Sequence, residues 1–230
     1  MSDVTARLRA LLDRIDTACQ DHQRQPGSVT LLAVSKTKPV EAIAAAADAG
    51  QKCFGENYVQ EAVDKIQQLS DLGLEWHFIG PIQSNKTRLL AEHFDWVQSV
   101  DRIKIANRLS EQRPSHITPL NICIQVNISD EPQKAGISLQ ALPELAKQVS
   151  ELPNVVLRGV MAIPANVTGF EAQRAQFHRL KLAFEDLKSS YPTIDTLSMG
   201  MSGDLEAAVA EGATMVRVGT AIFGARAPRQ

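Results

Sequence analysis

Leu31-Leu32-Ala33-Val34-Ser35-Lys36-Thr37-Lys38-Pro39 is an aliphatic run that reaches a lysine and is bounded by a proline. A short apolar run bounded in this way reads as a buried strand. Lys36 then stands where the chain leaves a packed interior. Lysine is rarely fully buried without a partner. One reading is that Lys36 snorkels to water. The other is that its amine, partly desolvated, forms a Schiff base with a carbonyl compound. This segment alone leaves both open.

The same kind of run recurs along the chain. Val29–Val34, Lys52–Gly55, Trp76–Ile79, Trp96–Val100, Leu120–Asn127, Val155–Met161, Thr196–Ser198 and Met215–Val218 are apolar or β-branched. Helical patterns lie between them, at Val40–Ala49, Asn57–Leu72, Ser84–His93, Arg102–Gln112, Leu139–Ser150, Gly169–Ser190 and Gly203–Glu211. Ser202 and Asp204 are start signals for the last of these. An extra N-terminal helix precedes the first strand, with Val4, Leu8, Leu11, Leu12, Ile15 and Cys19 on one face. Pro26-Gly27 ends the approach to that strand.

Strands alternating with helices predict an α/β protein with a parallel sheet and crossover helices. Eight strands are the number that closes a (β/α)8 TIM-type barrel, and 230 residues lie near the lower end of its size range. An open doubly wound sheet is the alternative. No GxGxxG follows the first strand, which counts against a dinucleotide-binding version. Apart from the polar joint Gln112–Thr118 there is no linker, so residues 1–230 read as one domain.

Composition narrows the function. Hydrophobic residues make up 44%, enough for a substantial core, and the net charge is -2. Without a basic run, nucleic-acid binding has little support. Cys19, Cys53 and Cys123 are far apart and form no metal-ligand spacing, so they read as inert thiols in a reducing compartment. No metal site is expected. Met1-Ser2-Asp3-Val4 begins without a signal-peptide pattern, and no stretch has transmembrane length. A cytoplasmic protein is the expectation.

In a barrel, chemistry gathers at the C-terminal ends of the strands, and phosphates are often held by the loops after strands 7 and 8. Those loops here are Ser198-Met199-Gly200-Met201-Ser202-Gly203-Asp204 and Arg217-Val218-Gly219-Thr220-Ala221. Glycines admit close backbone approach, a helix start offers unpaired N–H groups, and Ser202 and Thr220 add hydroxyls. Closure pairs strand 8 with strand 1 at about 4.8 Å, which brings Lys36 beside these loops. An amine near an anion site suits a phosphorylated carbonyl compound. The candidates are a sugar phosphate, as in a Schiff-base aldolase, and pyridoxal 5′-phosphate.

Five motifs then carry a resemblance. Leu32-Ala33-Val34-Ser35-Lys36-Thr37-Lys38-Pro39, Phe54-Gly55-Glu56-Asn57-Tyr58-Val59-Gln60-Glu61, Trp76-His77-Phe78-Ile79-Gly80-Pro81-Ile82-Gln83-Ser84-Asn85-Lys86, Leu197-Ser198-Met199-Gly200-Met201-Ser202 and Val216-Arg217-Val218-Gly219-Thr220-Ala221-Ile222-Phe223-Gly224 resemble the YggS/PROSC family, the pyridoxal phosphate homeostasis proteins. The resemblance runs over almost the whole chain. It implies a barrel like the alanine racemase N-terminal domain. It implies pyridoxal 5′-phosphate bound as an aldimine to Lys36, with Ser202, Gly219 and Thr220 at the phosphate, Arg217 at the pyridine nitrogen and Asn57 near the ring. It implies a role in buffering or delivering the cofactor, with apo-enzymes as recipients and no established turnover.

An amino-acid racemase or another pyridoxal-phosphate enzyme is the alternative. An arginine is effectively always protonated and disfavours a protonated ring nitrogen, which weakens the electron sink. Racemases of the resembling fold carry a second, β-rich domain that supplies a tyrosine base across a dimer. Here only Ala225–Gln230 follow the last motif, and a monomer is expected. Tyr191 is expected at the wrong end of the barrel and Tyr58 in the core. His77 reads as a satisfied core histidine. Lys38, Lys65, Lys86 and Lys134 read as solvated, Glu56 as the partner of a nearby cation, and Met199 and Met201 as packing around the loop or ligand.

Overall fold

Alternate residues of a strand point to opposite sides, and in a closed barrel those sides are the lumen and the helical layer. The computed structural model of the chain, which describes residues 3–129, 131 and 133–225, follows that parity except at register shifts in the β4–β5 and β5–β6 pairings. In β1 (Thr30–Val34) Leu31 and Ala33 join the large cluster shared with the helices, while Leu32 belongs to a small inner cluster with Ile79 and Met215. In β8 (Met215–Val218) Val216 and Val218 join the outer cluster, and Met215 and Arg217 take the other parity.

The remaining strands are β2 (Cys53–Glu56), β3 (Glu75–Phe78), β4 (Trp96–Val100), β5 (Leu120–Gln125), β6 (Val155–Met161) and β7 (Thr196–Ser198). All eight pair in parallel, in sequence order, and β8 returns to β1 to close the barrel. The closing register sets Leu32 beside Arg217 and Ala33 beside Val218. Closure excludes the open doubly wound sheet.

The helices are α1 (Asp3–Asp21), α2 (Val40–Asp48), α3 (Val59–Gln68), α4 (Thr87–His93), α5 (Ile103–Gln112), α6 (Leu142–Ser150), α7 (Phe170–Ser190), α8 (Leu205–Ala210) and α9 (Thr220–Phe223). α1 packs on α2, α8 and α9 through Leu8, Leu11, Ile15, Ala18 and Cys19. Leu12, placed on that face by its spacing, lies outside the contact and is exposed.

Several boundaries differ from the periodic pattern. Asn57 and Tyr58 precede α3 in non-helical backbone, and the far end of that pattern tightens into a 3-10 turn at Ser70–Leu72 before left-handed Gly73. The pattern Ser84–His93 likewise begins as a 3-10 turn, Ser84–Lys86, and Leu139–Ala141 precedes α6 in the same way. α9 is a single turn, too short to leave a period in the sequence. Among the described residues no helix is long and apolar enough to cross a membrane. Met1, Ser2 and residues 226–230, which entered the expectations about the termini and the single-domain span, lie outside the described residues.

Candidate functional site

The C-terminal ends of β1, β2 and β8, with the loop after β7, border a cavity of about 210 Å³. Lys36, Asn57, Ser202, Arg217, Gly219 and Thr220, the six residues selected from the sequence, all line it. Lys38, Ile79, Ile163 and Met201 complete much of the wall.

Lys36 follows the end of β1 and is held from both sides in sequence. Its predecessor Ser35 is fully buried, and its successor Thr37 adopts φ 62°, a left-handed conformation costly for a β-branched residue. The Thr37 N–H donates to Glu61 Oε1 at 2.6 Å. Lys65 Nζ donates to Glu61 Oε1 at 2.5 Å, Glu56 Oε1 at 2.8 Å and the Ser35 carbonyl at 2.9 Å. Ser35 Oγ donates to Glu56 Oε1 at 2.7 Å.

Lys65 is therefore not solvated: it is 5% exposed. α3 turns its side chain inward, and two carboxylates compensate the lost hydration. Glu56 does have its cation. Burial raises the Glu56 pKa above the usual carboxylate range, and the Lys65 ammonium opposes that shift.

Lys38 also has a structural role. Its Nζ donates to the carbonyls of Phe223, Gly224 and Ala225 at 3.2, 2.9 and 2.9 Å, tying the turn after β1 to the end of α9. Lys134 pairs with Glu131 at 3.1 Å and is a quarter exposed.

Gly219 is required by closure. A Cβ there would lie 2.8 Å from the Val34 carbonyl oxygen, so a side chain would push β8 from β1 at the cavity rim. Gly200 takes φ 96° and passes over Ala208 where a Cβ would not fit. Beyond it, the Met201 N–H donates to Asp204 Oδ1 at 2.6 Å, which folds the loop ahead of α8. Arg14 of α1 donates to the Ser202 carbonyl at 3.1 Å and to both oxygens of Glu206 at 2.6 and 2.7 Å. The sequence did not reveal this brace, because a helix-face arginine carries no mark of a partner 188 residues away.

Arg217 is 4% exposed and borders the cavity. Burial draws its pKa down to about 10, with Asp204 opposing, so it remains a cation at neutral pH. Its terminal nitrogens donate to Ser198 Oγ and to the Ala162 carbonyl, both at 2.8 Å. Asn57 Oδ1 is buried without a hydrogen-bond partner. An unmet buried acceptor is costly and marks a place where a ligand donor fits. An amine, a fixed cation, an unmet acceptor and a rim of hydroxyls and glycine N–H groups suit a small anionic carbonyl compound with a polar ring.

Other sequence expectations fall around this cavity. His77 is fully buried and both ring nitrogens are hydrogen-bonded, as expected of a core histidine. Met199 is buried under the loop and Met201 lines the cavity. Tyr191 packs against the core just after α7, near the N-terminal end of β7. Tyr58 departs from expectation. It is 46% exposed, because the extended turn between β2 and α3 directs it outward, into a neighbouring depression lined also by Asn57, Phe78 and Lys86.

A closed parallel barrel with a lysine beyond β1 and glycine-bearing loops after β7 and β8 is an arrangement suited to a phosphorylated carbonyl compound. The relatives agree with that class. Residues 7–227 match the family described as alanine racemase, N-terminal domain. The chain is 58% identical over 229 residues to the pyridoxal phosphate homeostasis protein of Escherichia coli K12, covering 98% of each. It is 57% identical over 226 residues to the protein of the same name from Pseudomonas aeruginosa, covering 98% of this chain and 97% of the other. The chain belongs to the pyridoxal phosphate homeostasis proteins, within the alanine racemase N-terminal domain family. Among solved structures, PipY of Synechococcus elongatus with PLP bound superposes with a TM-score of 0.83 at 40% identity, covering 96% of this chain and all of that one. Alanine racemase of Corynebacterium glutamicum, at 16% identity and a TM-score of 0.67, shares the fold; the match covers 97% of this chain and 63% of that one.

Proposed function

We propose that this chain holds pyridoxal 5′-phosphate on Lys36 and serves the homeostasis of that vitamin B6 cofactor as a buffer or carrier. The observation that carries the reading is the convergence of Lys36, Arg217 and the unmet Asn57 acceptor in one cavity. Membership of a family whose relatives bear that function in their names supports it.

When bound, the cofactor supplies an aldehyde that a lysine amine captures reversibly with loss of one water. Each residue then has a task. Lys36 Nζ provides the attachment, steadied by the buried Ser35 and by Thr37. Ser202 and Thr220 would donate hydroxyls to the phosphate, and Gly219 would let the backbone approach it. Arg217 would face the pyridine nitrogen, and the Asn57 amide would lie beside the ring. An arginine cation at that nitrogen would disfavour a protonated ring and so weaken its electron sink. Neither Tyr58 nor Tyr191 lines the cavity, so neither stands opposite Lys36 as a second base. The reading extends to a cytoplasmic monomer that passes its cofactor to apo-enzymes.

The test is a visible spectrum of the protein mixed with pyridoxal 5′-phosphate, beside Lys36→Ala. A band in the parent that is lost in the variant is expected; an unchanged band overturns the attachment. Following α-deuterium exchange across a panel of L-amino acids separates holding from catalysis. Exchange at ordinary enzymatic rates would sink the carrier role.

A further inference from the structure

Five polar side chains cross the barrel lumen in a connected file, joined by four hydrogen bonds. Arg217 donates to Ser198 Oγ at 2.8 Å. Ser198 Oγ donates to Gln98 Oε1 at 2.6 Å. Gln98 Nε2 meets His77 Nδ1 at 2.8 Å. His77 Nε2 meets Glu75 Oε1 at 2.7 Å. Ser198, Gln98 and His77 are fully buried, whereas the Glu75 side chain is 42% exposed. Glu75 opens β3 and Arg217 lies near the end of β8. The file therefore joins solvent at the N-terminal face to the cavity at the C-terminal face.

Its direction is fixed by chemistry. A guanidinium has donors only. Ser198 Oγ accepts from Arg217, so its single proton goes to the Gln98 carbonyl oxygen. Gln98 must then present its amide N–H groups to His77 and to Met215 Sδ, 3.1 Å away. His77 Nδ1 is thereby an acceptor, and its one proton sits on Nε2, facing the Glu75 carboxylate. Turning the Gln98 amide over would set its carbonyl oxygen against Met215 Sδ with no donor between them, would take from the Ser198 proton its acceptor, and would leave the unprotonated Nε2 of a neutral His77 facing the Glu75 carboxylate. Burial lowers the His77 pKa, which agrees with a neutral ring. Trp96, stacked on the imidazole with centroids 5.0 Å apart, holds its plane.

We propose that Gln98 and His77 are positioning residues for Arg217: a one-way hydrogen-bond relay, anchored at Glu75 on the far face of the barrel, fixes the guanidinium that faces the bound cofactor. The consequence for the ligand rests on the function proposed above; the relay itself does not. The same geometry bears on a second feature. Cys53 Sγ, Glu75 Oε1 and His77 Nε2 lie within 4.8 Å of one another, a spacing open to a metal ion. The relay assigns that cluster to hydrogen bonding, because Nε2 carries a proton where a metal needs a lone pair.

Long-range 1H–15N spectra of the unloaded parent protein read the His77 tautomer with no substitution and no cofactor. Nε2–H is expected. A proton on Nδ1 overturns the relay, and so does Zn2+ binding that shifts the His77 Nε2 resonance. The second arm is a cycle with pyridoxal 5′-phosphate. Gln98→Leu should raise its dissociation constant about tenfold, the worth of one hydrogen bond of ~1.4 kcal/mol. The same substitution on an Arg217→Met background should change it less than about twofold, because coupled residues are non-additive. Equal losses in both backgrounds overturn the positioning role. If Lys36→Ala keeps the visible band, the cofactor reading fails while the tautomer still judges the relay.

Discussion

On the outer side of the strands, Phe54, Phe78, Ile122 and Val216 pack against helices in one continuous apolar cluster. On the inner side, in β3, β4, β7 and β8, stand His77, Gln98, Ser198 and Arg217, with only small apolar groups such as Leu32–Ile79–Met215 and Trp96–Cys123–Met161 between them. The outer layer gains from area removed from water and has no direction. The inner column gains little from area and depends on every donor finding its acceptor. Stability is therefore concentrated outside the strands, and the orientation of the binding cavity inside them. A substitution should register in one property or the other according to its parity.

The largest expected effect tests the outer layer. Phe54→Ala should cost about 3–5 kcal/mol in chemical denaturation, the range for truncating a buried aromatic. Once folded, the variant should show the parent's visible band with pyridoxal 5′-phosphate. A displaced band would break the division between the layers.

Lys65 sharpens it, since it lies among the helices yet serves the cavity. Lys65→Met strands Glu56 without its cation and should lose roughly 3 kcal/mol. Because Lys65 also holds the Ser35 carbonyl and Glu61, which in turn holds Thr37, the substitution should weaken attachment at Lys36 as well. Adding Glu56→Gln should restore part of the stability by removing the buried charge. If the double variant is no more stable than the single one, the unpaired carboxylate is not the cause.

The inner column has a pH signature. His77 has a lowered pKa in the fold, from burial first, with Glu75 and Asp95 opposing. A base depressed on folding contributes stability that is present above its unfolded pKa, about 6.5, and lost as pH falls toward the folded value, by at most about 1.4 kcal/mol per pH unit. Glu75 is depressed too, chiefly by its hydrogen bond to His77, and its contribution is lost in a lower window, below about pH 4.3. Denaturant midpoints should fall as pH drops below about 6.5, and His77→Phe should flatten that window. An unchanged slope in the variant would assign the titration to another group.

The two regions were not equally legible in the sequence. Buried parallel strands leave continuous apolar runs, so all eight were found, with β2 and β3 displaced by a residue, β1 begun one residue early and β5 carried two residues too far. The cavity residues were legible because barrel chemistry gathers at strand ends and because the motifs resembled a known family. The lumen file was not. Gln98 and Ser198 are 100 residues apart, and only closure of the barrel brings them together. A signal existed: His77, Gln98, Ser198 and Arg217 are polar residues inside runs that otherwise read as core. Alternation within each strand would have set them on the face opposite Phe78, Val97, Leu197 and Val216, and so in the lumen. Lys65 left no such signal, because a lysine in an amphipathic helix looks the same whether its carboxylates lie beneath it or water does.

The smallest expected effect belongs to a residue outside both layers. Arg14 reaches from α1 to Glu206 and to the Ser202 carbonyl, and side chains of the pair are 39% and 45% exposed. Exposed ion pairs contribute at most about 1 kcal/mol, so Arg14→Ala should scarcely move the denaturation midpoint. Its effect should appear instead in ligand binding. The Ser202 carbonyl that Arg14 holds belongs to the loop that would carry the phosphate, and releasing it loosens one wall of the cavity and leaves the lumen intact. Affinity for pyridoxal 5′-phosphate should drop a few-fold, about the worth of one partly exposed hydrogen bond, while the position of the visible band stays as in the parent. A shifted band would mean that the brace on the phosphate loop and the column behind Arg217 are one mechanical unit, and that the parity of the strands does not separate them.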